Sequence, residues 1–205
     1  MNDFDERALT WDDDPMKRDR AETVAQRIVS NVSLHPGMKI LDYGCGTGLL
    51  GLALHSHVGF VTFADTSSGM LKVVEEKLST LGISNVKSMP FDILGDPLPA
   101  DRFDLVASML TLHHLPDIHK CLAGFFQLLH PGGVLCIADL DSEDGTFHDP
   151  GFAGHLGFSR EELGTWVTGI GFHEVAFTTV YSIAKVVNGE KRDYTVFLLC
   201  AKKPQ

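Results

Sequence analysis

Two adjacent histidines, His113 and His114, and three aspartates set around a glycine-bearing segment are the residues of this chain best suited to chemistry. A histidine titrates near neutral pH and can take a proton from a hydroxyl, amine, thiol or acidic carbon. The glycine segment is Leu41-Asp42-Tyr43-Gly44-Cys45-Gly46-Thr47-Gly48. Glycines there permit positive φ and let a ligand approach the backbone closely. Asp65, followed by Thr66, comes roughly 20 residues later, where a carboxylate can accept hydrogen bonds from both hydroxyls of a ribose. Asp92, in Met89-Pro90-Phe91-Asp92-Ile93, stands where an adenine amino group could be recognised, with Phe91, Ile93 and Met70 as apolar contacts to the ring.

The spacing argues against nucleotide phosphates. A dinucleotide fingerprint needs glycine at its first, third and sixth positions, and Leu49 occupies the sixth position from Gly44. The phosphate-gripping lysine of a P-loop is also missing. Asp42 would repel a pyrophosphate and suits a cationic or zwitterionic ligand. A second cluster comprises Asp139, Asp141, Glu143, Asp144, His148, Asp149 and His155. Its spacing matches no metal motif, so no metal is assigned. The segment 141–157 lacks periodicity and is long for a connection, which reads as a substrate lid or as a solvated acidic loop.

These residues need a scaffold. Ala21, Val24, Ala25, Ile28, Val29 and Val32 recur at helical spacing, predicting a helix from Met16 to Leu34 that ends at Pro36-Gly37. A short buried strand at Lys39–Leu41 follows, then a helix at Thr47–Ser56 and a strand at Val58–Ala64. A helix over Ser67–Leu81 is capped by Ser67 or Ser68 and stopped by Gly82. Strands at Asn85–Met89 and Phe103–Met109 precede a helix at Asp117–Leu129 and a strand at Val134–Ala138. Alternating strands and helices imply crossovers and a largely parallel sheet. The ending differs: a helix at Ser159–Ile170 leads to strands at Phe172–Val187 and Tyr194–Cys200, joined by a polar turn at 188–192 into an antiparallel pair. Residues 1–15 are acidic, and their two large apolar side chains, Phe4 and Trp11, are expected to dock on another surface.

The chain has 205 residues, with 44% apolar and 21% charged side chains, enough for one full core. The net charge of −10 disfavours nucleic acid and anionic membranes as partners. The four cysteines show no CxxC spacing and sit in or beside apolar stretches, as expected of buried thiols in a reducing compartment. The acidic N-terminus does not read as a signal peptide, and no apolar run has membrane-span length. These features predict a cytoplasmic protein.

Taken together, the motifs resemble those of class I S-adenosylmethionine-dependent methyltransferases, specifically the small-molecule members. The segment Asp42 to Gly48 is similar to that family's cofactor loop, and Asp65 with Met70 to its ribose acid and adjoining adenine contact. Asp92 matches its adenine acid. Phe103-Asp104-Leu105-Val106, Leu112-His113-His114-Leu115 and Leu128-Leu129-His130-Pro131-Gly132-Gly133 match later landmarks. The resemblance covers roughly residues 36–140 and implies a Rossmann-like three-layer α/β/α sandwich, a seven-stranded, mostly parallel sheet with an antiparallel last strand. It implies S-adenosyl-L-methionine as cofactor, held by Asp42, Gly44, Cys45, Gly46, Gly48, Asp65, Thr66, Met70, Asp92, Ile93 and Met109. Residues 1–35 then form a helical extension or lid, and 36–205 the cofactor-binding domain.

His113 and His114 are the base candidates; either can instead be structural, with His114 packing on the helix near Pro116. The acidic charge favours a small-molecule acceptor. The Asn/Asp-Pro-Pro-aromatic motif of many amino-group methylases is replaced by Ser108-Met109-Leu110-Thr111. A protein methyltransferase and a non-catalytic cofactor-binding module are the alternatives. The sequence leaves the oligomeric state undetermined.

Overall fold

The computed structural model describes residues 3–205. Seven strands form one sheet: β1 (Lys39–Tyr43), β2 (Phe60–Asp65), β3 (Val86–Pro90), β4 (Phe103–Met109), β5 (Leu129–Leu140), β6 (His173–Val187) and β7 (Glu190–Lys202). Their order is β3-β2-β1-β4-β5-β7-β6. The pairs from β3 through β5 are parallel, whereas β7 runs antiparallel to both β5 and β6. This is the expected seven-stranded sheet with its antiparallel last strand.

The central strands are buried on both faces, which is why they read as continuous apolar runs rather than alternations. In β1, four consecutive residues from Ile40 to Tyr43 are buried. One apolar layer includes Ile28, Leu54, Phe63 and Leu105; the other includes Val106, Leu122, Phe125 and Phe197. Helices α2 (Pro15–Asn31), α3 (Leu49–Leu54), α4 (Ser68–Leu81), α5 (Ile118–Leu128) and α6 (Arg160–Ile170) flank the sheet. Capping fixes their starts. Ser67, Asp117 and Ser159 each accept a backbone N–H with the side chain, at α4, α5 and α6. No helix among the described residues is long and apolar enough to cross a membrane.

Several elements differ from the sequence-based expectation. The segment before α2 is folded: α1 (Asp3–Arg7) leads into a 3-10 turn over Ala8–Asp13. The strand expected at Val134–Ala138 extends to Leu129–Leu140. The turn expected over 188–192 tightens to two residues, because Asn188 and Gly189 both take positive φ (51° and 84°), the geometry that fits a twisted hairpin. The thiols are all free; Cys45, Cys121 and Cys136 are buried and Cys200 is partly so.

Candidate active site

In open α/β sheets a ligand crevice forms at the carboxyl ends of the strands where strand order reverses. Here that point lies between β1 and β4, which both neighbour at the sheet centre. A cavity of about 680 Å³ opens there. Its walls include Gly44, Cys45 and Gly46 after β1, Asp65 and Thr66 after β2, Met70 at the start of α4, and Met109 at the end of β4. Gly44 must be glycine for two reasons. Its φ is +65°, and an added Cβ would fall 2.1 Å from the Thr111 Cγ2. Thr111 instead donates through its hydroxyl to the Gly44 carbonyl at 3.1 Å, joining the glycine loop to the segment after β4. Between them, Leu110 holds a positive φ of 50°, a strained backbone on the cavity wall.

Asp65 is oriented by the backbone. Gly46 N–H donates to one carboxylate oxygen at 2.8 Å and Ser67 N–H to the other at 2.9 Å. Burial still pushes its pKa above the ordinary value of 3.8. Each carboxylate oxygen keeps a further lone pair, so a ribose diol donating from the cavity would satisfy it. Lys77, which donates to the Thr47 carbonyl of the loop at 2.7 Å, is neutralised by Asp12. This donor set fits a ribose-bearing ligand with a positive centre and does not fit a pyrophosphate.

Four of the expected cofactor residues, Asp42, Gly48, Asp92 and Ile93, are not among those lining the cavity. Asp42 is buried behind the loop, accepting from Gly51 N–H at 2.8 Å at the start of α3, with its pKa raised to about 7 by burial. Its carboxylate shapes the loop rather than facing the cavity. Gly48 is the N-cap position of α3, and a Cβ there would meet core Phe63 and Val74 at 3.2 Å. Ile93 is buried in the core. Asp92 closes its own turn, accepting from Leu94 N–H at 2.9 Å.

His113 and His114 sit on a 3-10 turn after β4 and both line the cavity. His113 is buried, and its Nδ1 lies 2.6 Å from an oxygen of the buried Asp139 at the end of β5. The other Asp139 oxygen accepts Leu112 N–H at 3.0 Å, so the carboxylate fixes both the ring and the turn that carries it. His114 packs on His113 at 4.2 Å between ring centroids, and on Phe4 at 5.2 Å. Burial first, then His113 and His148, lower the His114 pKa to about 4. His148 is likewise lowered to about 4, chiefly by burial.

The segment 141–157 folds back onto this cluster. His148 stacks on Phe152 at 3.7 Å and 16°, and its ring lies 5.0 Å from His113. His155 N–H donates to the His113 carbonyl at 2.7 Å. Two acidic residues of the segment are engaged elsewhere: Asp141 receives a two-point clasp from Arg160 at 2.7 Å per contact, and Glu143 accepts backbone N–H groups from Gly145, Thr146 and Phe147. Only Phe147, His148 and Asp149 of this stretch reach the cavity wall.

The N-terminal segment covers the other side. Asp5 accepts from Ser67 Oγ at 2.7 Å and Gly69 N–H at 2.8 Å, an approach that glycine allows because a Cβ on Gly69 would lie 2.9 Å from the Asp5 backbone. Asp12 accepts from Thr47 Oγ1 at 2.6 Å. Phe4 and Trp11, 5.9 Å apart edge to face, both line the cavity. Sequence reasoning missed Asp139 as the partner of His113, because that pairing spans β4 and β5. It also missed the basic residues Arg7, Lys17, Arg20 and Lys185 on the cavity wall. A signal existed for two of them: Lys17 and Arg20 open a helix at the end where acidic residues are the stabilising choice.

Comparison with known proteins fits this geometry. The profile of a family described as "Methyltransferase domain" matches residues 34–165. An uncharacterized methyltransferase of Schizosaccharomyces pombe is 30% identical over 151 residues, 66% of this chain and 53% of its own length. The ubiquinone/menaquinone biosynthesis C-methyltransferase of Shewanella piezotolerans is 36% identical over 116 residues, 54% of this chain and 46% of that protein. The chain thus spans about half the length of these curated relatives. Phosphoethanolamine N-methyltransferase 2 of Haemonchus contortus, solved with S-adenosyl-L-methionine, superposes with a TM-score of 0.72 at 18% identity, covering 88% of this chain and 52% of that one. At that identity the likeness is one of fold.

Proposed function

The chain belongs to the class I S-adenosylmethionine-dependent methyltransferases, and from that premise we propose that it methylates a small-molecule acceptor bound in the cavity between the glycine loop and the histidine cluster. Its cofactor is S-adenosylmethionine. The observation that carries the acceptor reading is the continuity of one cavity. Its wall carries Gly44 and Asp65, His113 and His114, and Lys17 and Lys185, together with Phe4 and Trp11. Its volume of about 680 Å³ is within the usual range for small-molecule sites.

The bound cofactor supplies a methyl group on a sulfonium, whose charge disappears as the methyl leaves. In this reading Asp65 accepts the ribose hydroxyls and the glycine backbone lies against the amino-acid end. Met70, Phe91 and Met109 provide apolar contact. The N-terminal helices, residues 1–35, act as a lid that excludes water and orients the acceptor, and positioning of this kind can supply several kcal/mol. His114, neutral at pH 7 because its pKa is lowered to about 4, accepts a proton from the acceptor without repelling the cofactor's positive charge. Asp139 positions His113, which packs against His114.

Incubation with methyl-labelled S-adenosylmethionine tests the acceptor class. Label entering the small-molecule fraction of a cell extract supports the proposal. Label entering only protein would instead support a protein methyltransferase. Binding without any transfer would support a cofactor-binding module.

A further inference from the structure

We infer that the acceptor carries an anionic group, a carboxylate or a phosphate, held on the cavity wall by Arg20 and Lys17. The inference rests on the methyltransferase reading and adds the charge class of its substrate. On a chain of net charge −10, the cavity wall gathers Arg7, Lys17, Arg20 and Lys185. Among the described residues, the acidic side chains on that wall are Asp14, Asp65 and Asp149.

Two of these cations are left unmatched. The Arg20 Nε is buried without a hydrogen-bond partner. A buried donor that gives up water without gaining an acceptor is destabilising, and such groups mark a place where something else is meant to bind. Lys17 lies over the Trp11 ring at 3.7 Å, a contact that holds the ammonium without neutralising it. Asp14 is close enough to be felt by both, but one of its oxygens is used to cap α2, accepting from Met16 N–H at 2.9 Å. Among the described residues neither cation has an ion-pair partner. Burial pushes the Lys17 pKa below its ordinary value, and Arg7 and Arg20 push it in the same direction.

Placement supports the same conclusion. Lys17 and Arg20 are three residues apart on α2 and so share a face. They stand in its first two turns, where the helix dipole disfavours cations and where α2 has no acidic residue in its first turn. An anion bound there would be stabilised by both side chains. Lys185 reaches the same cavity from β6, donating to the Phe147 carbonyl and lying 4.7 Å over the Phe147 ring.

Calorimetry on protein saturated with S-adenosylhomocysteine tests this, using benzoate, phenyl phosphate and uncharged benzamide as probes. The expected result is saturable binding of benzoate or phenyl phosphate, with benzamide at least tenfold weaker; whichever anion binds more tightly identifies the group. Arg20→Gln and, separately, Lys17→Gln should each weaken the anion at least tenfold while S-adenosylhomocysteine affinity stays within twofold, which also shows that the variants fold. Equal binding of anion and amide, no anion binding, or variants that bind the anion as well as wild type would overturn the inference alone. Failure of the wild-type protein to bind S-adenosylhomocysteine would overturn its premise as well.

Discussion

Asp42 and His114 show how burial sets charge in this site. With its pKa raised from 3.8 to about 7, Asp42 holds a proton in the folded state that it has lost in the unfolded chain between those values. Folding stability therefore falls as pH rises through that window, by up to a few kcal/mol from this group. Asp42→Asn removes the charge and keeps an acceptor for Gly51 N–H. Its melting temperature should exceed that of wild type by more at pH 8 than at pH 4, measured by calorimetric scanning at both. His114 works in the opposite sense. Its lowered pKa gives stability that is present above pH 6.5 and lost as pH falls toward 4. If His114 accepts the acceptor's proton, His114→Gln should lower kcat by about 10²–10⁴-fold, the usual range for general base catalysis, with cofactor affinity unchanged. An unaltered kcat in steady-state assays would restrict His114 to packing on Phe4 and His113. Asp139→Asn should lower kcat by a smaller factor, because it loosens His113, against which His114 packs.

At the scale of elements, the N-terminal helices are the part that the site's closure depends on. They are held by Asp5 on Ser67 and Gly69 and by Asp12 on Thr47 and Lys77. Asp12→Ala removes charge-assisted contacts of about 1.5–3 kcal/mol, so amide hydrogen exchange across residues 3–13 should accelerate about tenfold or more. S-adenosylhomocysteine should slow exchange in the same residues in wild type; exchange that ignores the ligand would argue against a lid. These elements also show where sequence reading succeeds and where it stops. Ser67, Asp117 and Ser159 announce their helices by local capping, and β1, β2 and β4 are visible as apolar runs. The α1 helix has only five residues and is held by contacts to Ser67 and Gly69 at the start of α4, so nothing local marks it. The glycine loop and Asp65 are legible because their chemistry is encoded in consecutive residues. The Asp139–His113 pair, the stacking of His148 on Phe152 and the unmatched Arg20 arise from tertiary packing and have no local signature. Asp42 and Asp92 carry contacts that no local pattern shows: Gly51 N–H donates to one oxygen of Asp42 and Leu94 N–H to one oxygen of Asp92.

For the whole molecule, the fold brings one ribose-compatible group of residues around Asp65 and one basic group to the wall of a single cavity, within a chain whose net charge is −10. The sheet order accounts for the first group, since β1 and β4 diverge there. The second is built from α2 and the late strand β6, which are far apart in sequence. The central claim is that the glycine loop and Asp65 hold S-adenosylmethionine. It is tested most directly by calorimetric titration of S-adenosylhomocysteine into wild type and Asp65→Ala. The account predicts saturable one-to-one binding, weakened about 10- to 100-fold by the substitution, the effect of losing hydrogen bonds to a charged acceptor. No binding by folded wild-type protein, or equal binding by the variant, would contradict it.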